Sequence, residues 1–392
     1  MIAWFRYICL IVSLIITLPE LLSAQRLVSQ RQEDVEAGLL YNESVYILSN
    51  YSCLSSNSPE KLSLDELLRK QIEGFYFYLK RDTETNVLLL RKPDGTFTPF
   101  SESLEAIKTA LDADSTKVMT LFLDFYVETE LESSFKEIGL MEYVLEYDTK
   151  NGWPSLKNML SSGKRLVVFE VQKHLNSPSW LHNMRDFVEH TDADWGNQPE
   201  GVESFDERLK KNLSLFTGYK FLETSRGNSN DISALARQTP YLIESFKRAW
   251  IRDGRVPNFV LVDKYYAWLD VSLVTFRNFD IIYGVVTNNN ELLNYVNWDG
   301  MSNYTTGKYC FPLEPGAELM LSPISPGYRI EPATVYVSGT QRKAFAGDFK
   351  ARPLRIDEDI EIYLPFEGDE KDGSSNHNLT VSRNVEFIQD PI

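Results

Sequence analysis

Few groups in this chain could move a proton, hold a metal ion or attack an ester. Its four histidines are His174, His182, His190 and His377. His182 and His190 stand eight residues apart, which is no ligand spacing. No CxxC pair and no Cys/His cluster accompanies them, so no metal site and no cofactor is expected from these residues. Among carboxylates, Asp124, Glu170 and Asp263 each close an apolar run and would stand at or near strand ends. Gathered there, they could serve a metal-assisted hydrolysis, or two of them could cleave a glycosidic bond. Acids in such places also serve turns and helix caps. Lys80 follows another apolar run. The short basic run Arg208-Leu209-Lys210-Lys211 reads as a solvated helix face.

The elements that must position these groups alternate between strand and helix from about Glu43 to Asn289. Apolar runs at Val45–Leu48, Gly74–Leu79, Val87–Leu90, Val118–Val127, Leu166–Phe169, Leu213–Leu222 and Phe259–Val262 read as strands. Leu104, Ile107 and Leu111 have helical spacing, with Ser101 as a cap and Ser103 close behind. Leu131–Leu140, Trp180–Val188 and Tyr241–Ile251 read as further helices. Short apolar strands separated by amphipathic helices imply parallel strands covered on both faces. Their number suggests a (β/α) barrel, although periodicity alone does not separate a barrel from an open sheet. After about Asn290 proline and glycine become frequent, and β-rich runs appear at Glu318–Leu321, Ala333–Val337 and Ile360–Leu364. The expected organisation is therefore a signal segment (1–24), an α/β barrel (25–289), a small all-β module (290–366) and a charged tail (367–392).

The first segment has the layout of a secretory signal: Arg6, an apolar run from Tyr7 to Leu18, then Leu22-Ser23-Ala24 before Gln25. An uncleaved anchor is the rival reading. Beyond it no stretch is long and apolar enough to span a membrane, so no integral membrane segment is expected after signal removal. Hydrophobic residues make up 43% of the chain, enough for a sizeable core. A formal charge of −16 excludes a general affinity for nucleic acid or anionic lipid surfaces. Cys53 and Cys310 remain after cleavage, and in an oxidising compartment they read either as a disulfide or as two buried thiols.

Several strings, in collinear order from Tyr41 to Asn278, resemble secreted phosphodiesterases of the phosphatidylinositol-specific phospholipase C X-domain family. Tyr41-Asn42-Glu43 with Val45–Ser49 is similar to the family's opening strand, and Gln71–Phe77 more loosely to its second. Leu104–Leu111 followed by Thr120–Val127 resembles a family helix and strand. Gly152-Trp153-Pro154-Ser155-Leu156 with Met159 is similar to a further family string, and Gly163–Phe169 and Pro257–Asp263 carry the most specific likeness. The resemblance implies a distorted TIM barrel with its active mouth at the C-terminal strand ends.

It also implies two histidines, one as general base and one as general acid, because imidazole titrates near neutrality. Here the first position falls on Asn50 and the second on Leu90 or Arg91. Tyr76 replaces a family arginine, and Arg81 falls on the acid that closes that strand, with Asp82 one residue away. Asp263 stands where the family pairs an aspartate with its first histidine, Asp124 where it has a glutamate, and Lys80 near a phosphate-facing basic group. His174 is the remaining histidine whose loop could reach the mouth. The expectation is a secreted, catalytically silent member whose vestigial pocket (Asn50, Tyr76, Lys80, Arg81, Asp124, Asp263) binds an inositol phosphate, a glycan or a protein. The alternatives are a divergent, metal-assisted phosphoric diester hydrolase and an unrelated barrel hydrolase acting on polysaccharide.

Overall fold

The computed structural model describes residues 31–52, 63–70, 72–125, 131–147, 150–172, 177–191, 215–218, 247, 250–251, 254, 256, 258–262, 278–300, 304–339 and 342–355. The chain is α/β, with a largely parallel first sheet and a β-rich C-terminal part. Helical residues 31–36 form α1. The strands that follow are β1 (Tyr46–Ser49), β2 (Gly74–Arg81), β3 (Leu88–Arg91), β4 (Phe97–Pro99), β5 (Met119–Asp124), β6 (Leu166–Glu170), β7 (Leu181–Asn183), β8 (Val188–Thr191), β9 (Leu215–Gly218) and β10 (Phe259–Val262). Eight of them pair in parallel in the order β7-β6-β5-β2-β1-β10-β9-β8, while the β3–β4 hairpin adds antiparallel to the outer half of β2.

This sheet cannot be flat. Eight strands laid flat would separate β7 from β8 by roughly 34 Å. Only Met184–Phe187 connects them, a link that spans at most about 18 Å. The two edges are therefore drawn toward each other and the sheet curls.

Helices α2 (Leu64–Arg69), α3 (Phe100–Ala113), α4 (Leu131–Ile138) and α5 (Leu156–Ser162) follow in chain order. Helix α3 buries Phe100, Leu104, Ile107 and Leu111, the spacing of one helix face. It starts earlier than expected. Pro99 occupies the N-cap, so Ser101 and Ser103 sit inside the first turn rather than capping it. The segment expected as a helix over Trp180–Val188 is instead β7, the four-residue helix α6 (Met184–Phe187) and the start of β8. Pairing of Leu181–Asn183 with Val168–Glu170 overrides the helical spacing there.

Strand β11 (Asp280–Asn288) opens a second, five-stranded sheet. Strands β12 (Glu291–Leu292), β13 (Val296–Trp298), β14 (Tyr304–Thr305), β15 (Lys308–Leu313), β16 (Glu318–Leu321), β17 (Pro323–Ile324), β18 (Tyr328–Glu331), β19 (Val335–Ser338) and β20 (Lys343–Pro353) complete this part. The five-stranded sheet runs β12-β11-β20-β18, with β15 also on β11; β14-β13-β17 and β16-β19 form smaller sheets. The expected strand Ile360–Leu364, the signal segment and the tail lie outside the described residues.

The two sheets meet through polar contacts at α1. Arg31 is buried, pairs with Glu73 and lies 3.3 Å from Asp34. Asp34 also accepts from Arg342 Nε at 2.6 Å, and Glu43 pairs with Lys343 at 2.6 Å. Cys310 is a buried free thiol, and Cys53, with which a disulfide is one of the two readings, lies outside the described residues. The Trp250 indole N–H donates to Cys310 Sγ at 2.9 Å, and burial pushes the thiol up to about 12.

Candidate functional site at the strand C-terminal ends

Side chains alternate across a strand, and register partners share a face. Tyr76 pairs with Phe122, Tyr78 with Asp124 and Phe122 with Phe169. These five residues therefore face one way. Tyr46 and Phe259 are register partners on the neighbouring strands β1 and β10. Their rings build an aromatic floor: Phe122 lies 5.1 Å from Phe169 and 5.2 Å from Phe259, and Tyr46 lies 5.9 Å from Phe259. Gly74 allows the strands to close over this floor, since a Cβ there would stand 2.2 Å from the Thr120 carbonyl.

Above the floor, toward the C-terminal ends, the Tyr76 hydroxyl donates to Asp124 Oδ2 at 2.9 Å. Asp124 Oδ1 is buried and has no hydrogen-bond partner. A buried acceptor left unpaired costs about 1–3 kcal/mol, a cost that a donor or cation brought to this atom would relieve. The Arg91 guanidinium lies 5.8 Å from the Tyr78 ring, and its Nε is likewise buried without an acceptor. Ser52 knits the loop after β1 to this group: its hydroxyl donates to the Arg91 carbonyl at 3.0 Å and accepts from Tyr78 N–H at 2.8 Å. The Asn50–Ser52 loop, Tyr76, Tyr78, Arg91 and Asp124 thus belong to one linked neighbourhood.

Other expected groups stand elsewhere. Leu90 is sealed in the core, pairing with Leu79. Lys80 Nζ stacks 3.7 Å from the Phe97 ring, on the side of the β3–β4 hairpin. Arg81 pairs with Leu88 at the outer end of β2. Asp82 accepts from the N–H groups of Glu84 and Thr85 in a turn, and those bonds hold its carboxyl below the ordinary range. Glu170 pairs in register with Leu123, so it faces away from Asp124; Ser177 and Asn183 donate to it. Among the described residues no three acids, histidines or cysteines converge as a metal site. His182 is buried beside Trp153 and Phe187, with Nε2 at 3.2 Å from the Leu145 carbonyl, and burial lowers its pKa. It is a packing residue. Asp263 and His174 lie outside the described residues.

Sequence reading missed Tyr78 and Ser52. The alternation of β2 flags Tyr78 once Tyr76 is placed. Ser52 carries no signal, because its two bonds reach across 26 and 39 residues.

Residues 90–199 match the family model PI-PLC X. No curated protein matches. Among solved structures, a Staphylococcus aureus phosphatidylinositol-specific phospholipase C is 16% identical, with a TM-score of 0.39, and the match covers 62% of this chain and 94% of that one. The Listeria monocytogenes phosphatidylinositol-specific phospholipase C is 12% identical, with a TM-score of 0.39 and coverage of 61% and 95%. The matched segment opens on Leu90 and contains Arg91 and Asp124. Over residues 90–199 the chain is similar to the phosphatidylinositol-specific phospholipase C X domain.

Proposed function

We propose that the protein is a secreted, non-catalytic member of this family that binds at the mouth of a distorted TIM barrel. In this reading residues 1–24 are removed, and the barrel runs from residue 25 to the start of β11. The β module begins at Asp280 rather than 290, because β11 pairs with β12, β15 and β20. The observation that carries the reading is the loss of both proton-transfer groups. Asn50 replaces one, and a fully buried Leu90 beside Arg91 replaces the other. Neither an amide nor an alkyl chain exchanges a proton near neutral pH, and a guanidinium is a fixed cation. What remains suits binding: Arg91 offers positive charge to a phosphate, and Asp124 Oδ1 offers an acceptor to a sugar hydroxyl. An inositol phosphate is the ligand this pair favours, over a glycan or a protein.

A second reading is a divergent phosphodiesterase assisted by a metal ion. The unpaired Asp124 Oδ1 favours it, with Asp263 as the further ligand suggested by the family pattern.

The deciding experiment measures turnover of a soluble inositol phosphodiester with and without divalent cations, alongside calorimetric binding of an inositol phosphate. Each general acid or base role is worth about 10²–10⁴-fold, so turnover should fall at least about 10⁴-fold below a member with both histidines. Binding should weaken in Arg91→Ala and Asp124→Ala. Fast metal-free turnover would overturn the proposal. Metal-dependent turnover lost in Asp263→Asn would establish the second reading instead.

A further inference from the structure

Away from the barrel mouth, a groove of about 530 Å³ lies between α1 and the C-terminal sheet. Its size falls within the range of small-ligand sites. Asp280, the first residue of β11, is only 7% exposed, yet it lines the groove. Among the described residues its carboxylate makes no hydrogen bond and no ion pair. It rests against the backbone of Gly339, where a Cβ would stand 3.0 Å from Oδ2. The residue is buried while its carboxylate opens on the groove, so a cation entering the groove would supply the partner that no described residue provides.

The surrounding charges say what that partner is. Arg342 lines the groove but is committed, with Nε on Asp34 at 2.6 Å and a second nitrogen on the Phe279 carbonyl. Lys343 is committed to Glu43, and Lys247, near Pro315, to Glu314. Each of these cations therefore already meets an acid. Glu33 and Glu36 of α1 stand exposed at the rim; among the described residues Glu33 pairs with no cation, and Glu36 accepts from the neutral Gln32 alone. Among the described residues Asp280, Glu33 and Glu36 thus form no salt bridge, and Arg342 acts on Asp280 only through its field. Because no three acids converge closely enough for a metal ion, the spacing fits a larger, hydrogen-bonding cation.

We propose that this groove binds an organic cation, an ammonium or guanidinium group carried by a polyamine or by a basic side chain of a peptide. The cation seats on Asp280 at the floor and is held by Glu33 and Glu36 at the rim. Burial raises the Asp280 carboxyl to about 6, Arg342 pulls it down and Glu33 pushes it further up. Ionised Asp280 is thus disfavoured in the empty protein. This group's contribution to stability falls as pH rises from the ordinary carboxylate range through about 6. An arriving cation reverses that penalty, so affinity rises over the same interval and levels off above it. Asp280→Asn removes the penalty and is expected to fold.

The test is calorimetry of the purified full-length protein with spermidine and, separately, with trilysine amide, at pH 7.5 and pH 5. At pH 7.5 at least one probe should bind saturably. Asp280→Asn should weaken it about 10-fold or more, as expected for a lost charge-assisted hydrogen bond. Glu33→Gln with Glu36→Gln should weaken it a few-fold, in the range of exposed ion pairs. Wild-type affinity should fall about 10-fold at pH 5, and the Asp280→Asn variant should lose much of that dependence. Binding of spermidine alone assigns a small polyamine; binding of trilysine alone assigns a basic peptide. Failure of both probes, or an Asp280→Asn variant that binds like wild type, overturns the proposal whatever occupies the barrel mouth.

Discussion

The two sheets use aromatic residues in opposite ways. In the parallel sheet Phe122, Phe169, Phe259 and Tyr46 turn inward, none more than 4% exposed, and form the floor beneath Tyr76 and Asp124. In the C-terminal part Trp298, Tyr309, Phe311 and Phe349 make a comparable core, with rings 4.8–5.9 Å apart. The same region also leaves Tyr336 at 76% and Phe345 at 57% exposed. Met320 and Tyr336 are register partners on the β16–β19 hairpin, and both are exposed. A curled parallel sheet has an interior to fill from every strand, so its polar groups are confined to the strand ends. A two-stranded hairpin has faces with nothing above them, and its side chains stay in solvent. The first region therefore carries its candidate site inside, and the second carries its groove at the junction.

The comparison is most easily broken at Phe122. Phe122→Ala should cost about 3–5 kcal/mol, because it removes a ring stacked on Phe169 and edge-on to Phe259 and leaves a cavity under the mouth. Urea denaturation read by tryptophan fluorescence checks this. A cost below about 1 kcal/mol would mean the floor is loosely packed and the two regions differ less than described.

A middle-sized effect is expected where the regions meet. Asp34 serves both Arg31 and Arg342, with the side chains of all three almost fully buried. Asp34→Ala strips a partner from two cations, for a cost of about 3 kcal/mol by the usual penalty for breaking a buried pair. The chemical-denaturation midpoint reports it. If Asp34→Ala also left the two sheets unfolding in separate transitions, α1 would be the chief coupling between them.

The smallest effect belongs to the exposed hairpin. Tyr336→Ser should change stability by no more than about 0.5 kcal/mol, as surface substitutions do. Melting curves of the two proteins side by side test it, and a larger loss would show that Tyr336 is covered in solution.

Sequence by itself determined the α/β class, the alternation that fills the parallel sheet, and the family likeness carried by Gly163–Phe169, which lies within the matched segment. All of these are local: an apolar run, a helical spacing or a short string is written in adjacent residues. Through that likeness it also implies that Asn50 and Leu90 or Arg91 fall where the family has its proton-transfer groups, because a replaced residue type is visible without coordinates. Tertiary structure alone decided that Leu181–Asn183 is a strand, since pairing with β6 outweighs helical periodicity. It alone separated Glu170 from Asp124, because a register offset of one residue puts a side chain on the other face of a sheet. It alone brought Asp34 to Arg342 across 308 residues and set Asp280 in a groove beside α1. Contacts between residues so far apart leave no periodic trace in the chain. Where a carboxylate finds its partner, or is left without one, is settled only when the sheets pack.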